Sequence, residues 1–382
     1  MYQLIRPLLF TLPPALAHSV AMAALAPVEH VTLLRRIVHA MFAVDRPELK
    51  TRVMGLDFPN PIGLAGGFDK NARRARALAA LGFGYLELGT VTARAQEPNP
   101  APNLFRLPAD RALINRLGFP NEGADPVTAR VQRIRRGVPV PVGISIGKSR
   151  SVPLEPVHGM VADYLSSFRA ARTQADFVVV NVSSPNTAGL RAMQGQELAR
   201  TLLGALQAEN KAGTRVPLLV KIAPDLDQQE LEALLDVGVE CDLDGVVATN
   251  TTIARTGLST DDAAVAAMGA GGLSGPPLRE RSRQIVQRVR ARLGPKRAVI
   301  GVGGIESADD VLAMMRAGAD LVQLYTSFIY RGPGIVHSLA RALADAAAQS
   351  GAVSLAELTR TAWPSEGYAP APSPRSPASA PR

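Results

Sequence analysis

Eight short apolar runs, each closed by a polar or glycine corner and followed by a helical stretch, recur between Asn60 and Gln349. No other feature of the chain restricts its fold as much. The runs are PIGLA at 61–65, YLELGTV at 85–91, VGISIG at 142–147 and DFVVVNVS at 176–183. PLLVKIA follows at 217–223, then LDGVVATN at 243–250, RAVIGVGG at 297–304 and LVQLYT at 321–326. Near-continuous Val/Ile/Leu is what parallel strands covered on both faces require. Helical patterns fall between them, at 72–81, 197–210, 228–237, 279–292 and 307–316. Eight strand–helix units in about 270 residues predict an α/β fold closed as a (β/α)8 TIM barrel, with an open doubly wound sheet as the alternative.

Residues 1–45 precede this repeat and are apolar with scattered positive charge. Leu4, Ile5, Leu8, Leu9 and Leu12 recur near helical spacing, and Pro13 and Pro14 split the run into short helices. No uninterrupted apolar stretch reaches the roughly 20 residues a spanning helix needs. Three readings stay open on local grounds: an interfacial helix pair, a packing helix, and a secretory signal, whose cleavage site Ala24-Leu25-Ala26 mimics. The expected units are a helical extension over 1–45, a barrel over 46–349, and a C-terminal segment over 350–382. From Pro364 onward the Pro/Ala/Ser-rich tail is expected to be disordered, because it has too little apolar content to build a core. Two connections, 92–141 and 251–277, are longer than ordinary barrel loops and are expected to serve as lids or binding loops.

Charge and cysteine content exclude more than they assign. The single Cys241 rules out an internal disulfide and any cysteine-built metal site, and a structural thiol is expected. The net charge of +9 comes from arginine: the chain has 36 arginines and six lysines. Arginines 133, 135 and 136, and 279, 281 and 283, lie on helical stretches without interleaved aromatics and are expected to be solvated faces; no nucleic-acid partner is expected. Against that habit of using arginine, Lys70 and Lys221 stand out inside glycine-rich or strand-end motifs, where a compact ammonium differs from a guanidinium.

Polar residues gather at the carboxyl ends of the runs. Asn181 and Ser184 follow FVVV, Lys221 follows LLV, and Thr249 and Asn250 follow GVVA, while Tyr325 and Thr326 end the last run. In a barrel these ends share one rim, where active sites are assembled. GVGGI followed by SADD, after the seventh run, reads as a phosphate loop: the glycines let amides approach an anion and the next helix presents its positive end.

At these positions the chain resembles the dihydroorotate dehydrogenases. The motifs that carry the resemblance are GLAGGFDKN at 63–71, LGTVT at 88–92, NRLGFPN at 115–121, NVSSPNTAGLR at 181–191 and VKIAPDL at 220–226. ATNTT at 248–252, GGLSGPPL at 271–278, IGVGGI at 300–305 and LVQLYT at 321–326 complete them. The chain is similar to the membrane-associated, quinone-using class 2 in particular, which carries serine in the base position, here Ser184, and an N-terminal helical extension. The resemblance implies FMN-dependent oxidation of dihydroorotate to orotate in pyrimidine biosynthesis, with electrons passing to a membrane quinone. It places Ala65, Gly66, Gly67, Thr90, Asn181, Lys221, Thr249, Gly275, Gly304, Tyr325 and Thr326 on FMN. Ser145 stands where the family has asparagine, so that contact departs from the pattern. Lys70, Asn115, Arg116, Leu117, Gly118, Phe119, Asn181, Asn186, Asn250 and Thr251 are implied around the substrate. Ser184 is implied as base, with Lys70 catalytic and Thr187 and Phe119 on the proton path; no metal is implied. A monomer held peripherally on the cytoplasmic side of a bacterial cell membrane is the expected state.

Overall fold

The computed structural model describes residues 2–187 and 189–360, so the expectation of disorder from Pro364 lies outside the described residues. All eight predicted runs are strands: β1 (Ile62–Leu64), β2 (Tyr85–Val91), β3 (Val142–Ile146), β4 (Phe177–Asn181), β5 (Leu218–Ile222), β6 (Gly245–Ala248), β7 (Ala298–Val302) and β8 (Leu321–Leu324). They pair in parallel, in sequence order, and β8 closes onto β1 through Val322 against Ile62 and Leu324 against Leu64. The closed barrel holds and the open sheet is excluded.

Alternation along each strand sends one set of side chains inward and the other toward the helices. Leu86 and Leu88 of β2 join the large core between strands and helices, whereas Tyr85 packs inside the barrel with Phe177, Leu219, Ile300 and Leu321. Two glycines make room for the aromatic pair: a Cβ on Gly63 would lie 2.2 Å from the Tyr85 ring, and one on Gly143 2.2 Å from the Phe177 ring. Each large apolar side chain buried here stabilises the fold by about 1.5–3 kcal/mol, so the lower half of the barrel is a dry plug that supports the rim above it.

The helices follow the sequence pattern with one shortened start. The 72–81 pattern forms only Ala75–Ala80 (α5 below), because Ala72 sits at φ 54° and the Asp69 carboxylate takes the amides of Arg73 and Arg74. Of the helix-face arginines, Arg283 pairs with Glu280 at the surface, but Arg281 donates to the carbonyls of Pro224 and Leu226. Arg279 pairs with Glu306 and Asp310, and Arg135 with Asp176. Their partners lie far away in sequence, which is why local composition suggested a solvated face. Cys241 is half-buried at a helix end, and burial pushes its thiol pKa up, as suits an unreactive thiol.

The two long connections meet in space. Leu104–Leu107, Ala112–Asn115 and Gly272–Ser274 form a three-stranded antiparallel sheet over the rim.

The N-terminal segment forms four helices, α1 (Tyr2–Thr11), α2 (Pro14–Ala24), α3 (Ala26–His30) and α4 (Thr32–Phe42), with Pro13 and Pro14 at the first break as the sequence predicts. They are fastened to the barrel by polar contacts. Tyr2 donates to Ile329 O, and Arg106 donates to the carbonyls of Phe10 and Leu12 while its guanidinium lies 4.5 Å from the Phe10 ring centroid. Glu29 of α3 accepts the Ala77 amide at 3.0 Å and so caps the first turn of α5 (Ala75–Ala80), which has no side-chain cap of its own. Burial raises the Glu29 carboxyl above its ordinary value. Among the described residues, nine of the twelve exposed large hydrophobic side chains belong to this segment, including Leu4, Leu8, Leu33 and Met41. No single helix there is long and apolar enough to cross a membrane; the stretch from α2 to α4 bends by 110°.

Candidate active site

The carboxyl ends of the strands open into one cleft under the antiparallel sheet, enclosing about 1040 Å³ with its mouth included. That is space for a cofactor and a small substrate together. Of the site residues proposed from sequence, all but Arg116, Ser145 and Thr187 line it.

The floor comes from the inward positions one step above the apolar plug. Lys221 Nζ lies 3.3 Å from Glu87 Oε1, and Gln323 Nε2 donates to Glu87 Oε2 at 2.7 Å. Glu87 is fully buried and Lys221 5% exposed, so this is an ion pair away from solvent. Gln323 Oε1 is a buried acceptor with no partner among the described residues.

One wall is the loop leaving β1, with Ala65, Gly66, Gly67 and Lys70. Lys70 Nζ donates to Gly67 O at 2.6 Å, and burial pulls its pKa down to about 8 against a weaker opposing pull from Asp69. Phe68 of the same loop packs between His18 of α2 and Tyr325, with ring centroids 5.2 and 5.8 Å away, so an aromatic path runs from the extension to the cleft wall. Burial, with Lys70 nearby, pushes His18 down to about 4, leaving it neutral at ordinary pH.

The opposite wall is a set of interlocked amides. Asn181 Nδ2 donates to Thr90 Oγ1 at 3.0 Å, and Asn250 Nδ2 donates to Ser183 Oγ at 2.9 Å and to Asn181 Oδ1 at 3.3 Å. Asn186 Nδ2 donates to Asn115 Oδ1 at 3.0 Å, and Asn250 Oδ1 accepts the Thr251 amide. Mutual bonding fixes which donor and acceptor edges face the cleft before any ligand arrives. Ser184 Oγ accepts the Asn186 amide at 3.2 Å and lines the cleft, where no lining residue is a histidine. Phe119, Leu117 and Gly118 close this side.

The third region is glycine-rich, with Gly275, Gly303 and Gly304 facing Tyr325 and Thr326. Gly304 has φ 70° and packs so closely on Arg279 that a Cβ would lie 2.5 Å from the Arg279 Cβ. The amides of Gly304 and Thr326 bond to nothing among the described residues. The following helix opens on a capping box of Ser307 and Asp310, which takes the amides of Ser307 and Asp310 and leaves those of Ala308 and Asp309 without a backbone partner among the described residues.

Three proposed residues lie off the wall. The Ser145 hydroxyl, fully buried, pairs with Thr90 Oγ1 at 2.9 Å, so it supports a lining residue and does not reach the cleft. The Arg116 guanidinium turns away to the carbonyls of Pro102, Met268 and Ala270 and lies over the Phe105 ring. The Thr187 hydroxyl is buried without a partner among the described residues. Conversely, Glu87 and Gln323 escaped the sequence reading, although a charged residue within YLELGTV and an amide within LVQLYT were visible exceptions in apolar runs.

An orphan acceptor on the floor, a buried ammonium beside it and free amides at a glycine corner suit a flat polar ring carrying a phosphate tail.

A family model described as dihydroorotate dehydrogenase matches residues 48–346. A protein of Thermobifida fusca named dihydroorotate dehydrogenase (quinone) is 50% identical over 345 residues, covering 89% of this chain and 91% of that protein. A Rhodococcus erythropolis protein of the same name is 50% identical over 357 residues, covering 94% of this chain and 98% of its own. Among solved structures, the Eimeria tenella enzyme in complex with ferulenol superimposes with TM-score 0.80 at 33% identity, over 91% of this chain and 94% of that one.

Proposed function

This chain belongs to the dihydroorotate dehydrogenase family, and on that premise we propose how its cleft carries out the reaction. The protein is a flavin-dependent, class 2 enzyme that oxidises dihydroorotate to orotate in pyrimidine biosynthesis and uses a quinone as electron acceptor. The flavin would be FMN: the loop amides of Gly304 and Thr326, free of backbone partners among the described residues, would hold a single phosphate, and Lys221 and Gln323 would contact the ring. Thr90, Asn181 and Thr249, with Ala65, Gly66 and Gly67, which line the same cleft, would hold its edges.

When bound, the flavin supplies the hydride acceptor. This chain's residues do the rest. Lys70 neutralises the substrate carboxylate, a charge-assisted contact that also orients the ring. Asn115, Asn186 and Asn250 read its amide edges, with Thr251 beside them. Ser184 Oγ takes the proton from the carbon next to the ring carbonyl as hydride leaves the neighbouring carbon. A serine hydroxyl is a weak base unaided. Thr187, with its buried unpaired hydroxyl, and Phe119 form the path by which that proton leaves. The extension rests on the membrane surface through its exposed Leu and Met side chains and admits quinone past His18 and Phe68. Peripheral attachment on the cytoplasmic side, as a monomer, completes the reading.

One observation carries the proposal: Lys70, two bonded asparagine pairs (Asn115 with Asn186, Asn181 with Asn250) and Ser184, brought from the loop after β1, the end of β4, the end of β6 and the antiparallel sheet, line a single cleft. The test is dihydroorotate-dependent reduction of a water-soluble quinone by the purified protein. Orotate and quinol should form one for one. Flavin-loaded protein that reduces quinone only with a pyridine nucleotide as donor would defeat it.

A further inference from the structure

Within the buried Glu87–Lys221–Gln323 group, Glu87 is the charge to which the reaction scheme gives no task. It occupies a single level of the barrel. Tyr85, Leu219 and Leu321 form the apolar plug, and the next inward positions on the same strands, two residues on, are Glu87, Lys221 and Gln323. Three neighbours fix the Glu87 carboxylate. Lys221 Nζ approaches one oxygen at 3.3 Å, Gln323 Nε2 donates to the other at 2.7 Å, and Gly66 lies so close that a Cβ there would be 2.3 Å from Oε1. Glu87 is the only carboxylate paired with Lys221 among the described residues.

We infer that Glu87 is a positioning residue that serves as the counter-charge of Lys221 while the flavin ring is neutral, keeping the lysine charged and aimed at the ring so that it can stabilise the negative charge gained on reduction. The inference rests on the functional reading above, which puts a flavin over Lys221. An ammonium removed from water survives only beside a compensating charge. The reduced ring can supply that charge; the oxidised ring cannot. Glu87 covers the oxidised state. Gln323 holds the second carboxylate oxygen and turns its own unpaired Oε1 away from the carboxylate, so the pair stays in register through both states.

The other titratable groups around the pair are Tyr85 one level below, and Lys70, Tyr325 and Glu306 in the cleft wall. Burial raises both phenols, Tyr325 to about 12 and Tyr85 well above its ordinary value, so neither titrates near neutrality. Lys70, at about 8, titrates in native enzyme and variant alike and cancels in their difference.

The test is the flavin midpoint potential of holoenzyme from pH 6 to 9, native against Glu87→Gln. In the variant the equilibrium constant for two-electron reduction should fall at least tenfold at pH 8, about 30 mV for a two-electron couple. Potentials within threefold of native at every pH would overturn the inference, and so would a rise in potential, which would mean that Glu87 merely opposes the lysine. Should Glu87→Gln not hold flavin, the double variant Glu87→Gln/Lys221→Gln removes both charges and leaves amides of similar size. It should show the low potential with no added pH-dependence, and a native potential there would overturn the inference equally. Native protein devoid of flavin would instead overturn the functional reading on which this rests.

Discussion

Lys70 gives the sharpest numerical test of the substrate site. Burial in the loop leaving β1 brings its pKa down to about 8, so its charge changes within the pH range of an ordinary binding assay. If the ammonium is the partner of the ligand carboxylate, affinity for orotate in the oxidised protein should follow the charged fraction. That fraction is nearly complete at pH 6 and about one eleventh at pH 9 for a group titrating at about 8, which corresponds to a loss of roughly 1.4 kcal/mol. The sign is fixed: binding is full below the titration and lost as pH rises through it. Lys70→Met removes a charge-assisted hydrogen bond worth about 1.5–3 kcal/mol, so affinity at pH 6 should fall on the order of 10- to 150-fold. It should also abolish the alkaline loss. The assay is a titration of flavin absorbance with orotate from pH 6 to 9. A Lys70→Met protein that keeps native affinity at pH 6, or the native pH profile, would refute the assignment.

Three further outcomes are expected. Ser184→Ala should leave flavin bound but slow its reduction by dihydroorotate by orders of magnitude in stopped-flow; near-normal single-turnover reduction removes Ser184 from the proton transfer. Deleting residues 1–40 should spare flavin reduction and abolish turnover with long-chain quinones, and full activity with a long-chain quinone in the truncated protein contradicts the proposed role of the extension. Glu29→Ala strips the trans-cap from α5, leaving its first-turn amides unpaired, at a cost of about 1–3 kcal/mol. Thermal unfolding should shift down, and limited proteolysis should release the extension first. An unchanged melting temperature would show that the cap contributes nothing.

The barrel was legible because strands buried on both faces must be written as apolar runs, and all eight are. The cap sheet was not. Its third strand comes from a different connection, 157 residues on from its partner at the pairing of Asn115 with Gly272, so that contact leaves no local period to read. The helix Val157–Arg172 was missed although Met160, Tyr164, Phe168 and Ala171 keep helical spacing, because Gly, Ser and Arg between them dilute the pattern. In the site, residues at strand ends were readable from barrel geometry alone, as Asn181, Lys221 and Asn250 illustrate. Residues acting from beneath were not. Glu87 and Gln323 lie inside apolar runs, and which face of a strand they occupy follows from register, which only the closed barrel supplies. Arg116 shows the opposite error: it lies within a matching motif, yet its side chain holds the antiparallel cap together through distant carbonyls.

The most direct test is anaerobic addition of dihydroorotate to the purified, oxidised protein while the visible flavin bands are followed. One equivalent should bleach them within a single turnover and release one orotate per chain, and quinone should then restore the colour. Bands that persist under excess dihydroorotate, in protein shown to be folded and flavin-loaded, would contradict the claim that this cleft brings the two rings together for hydride transfer.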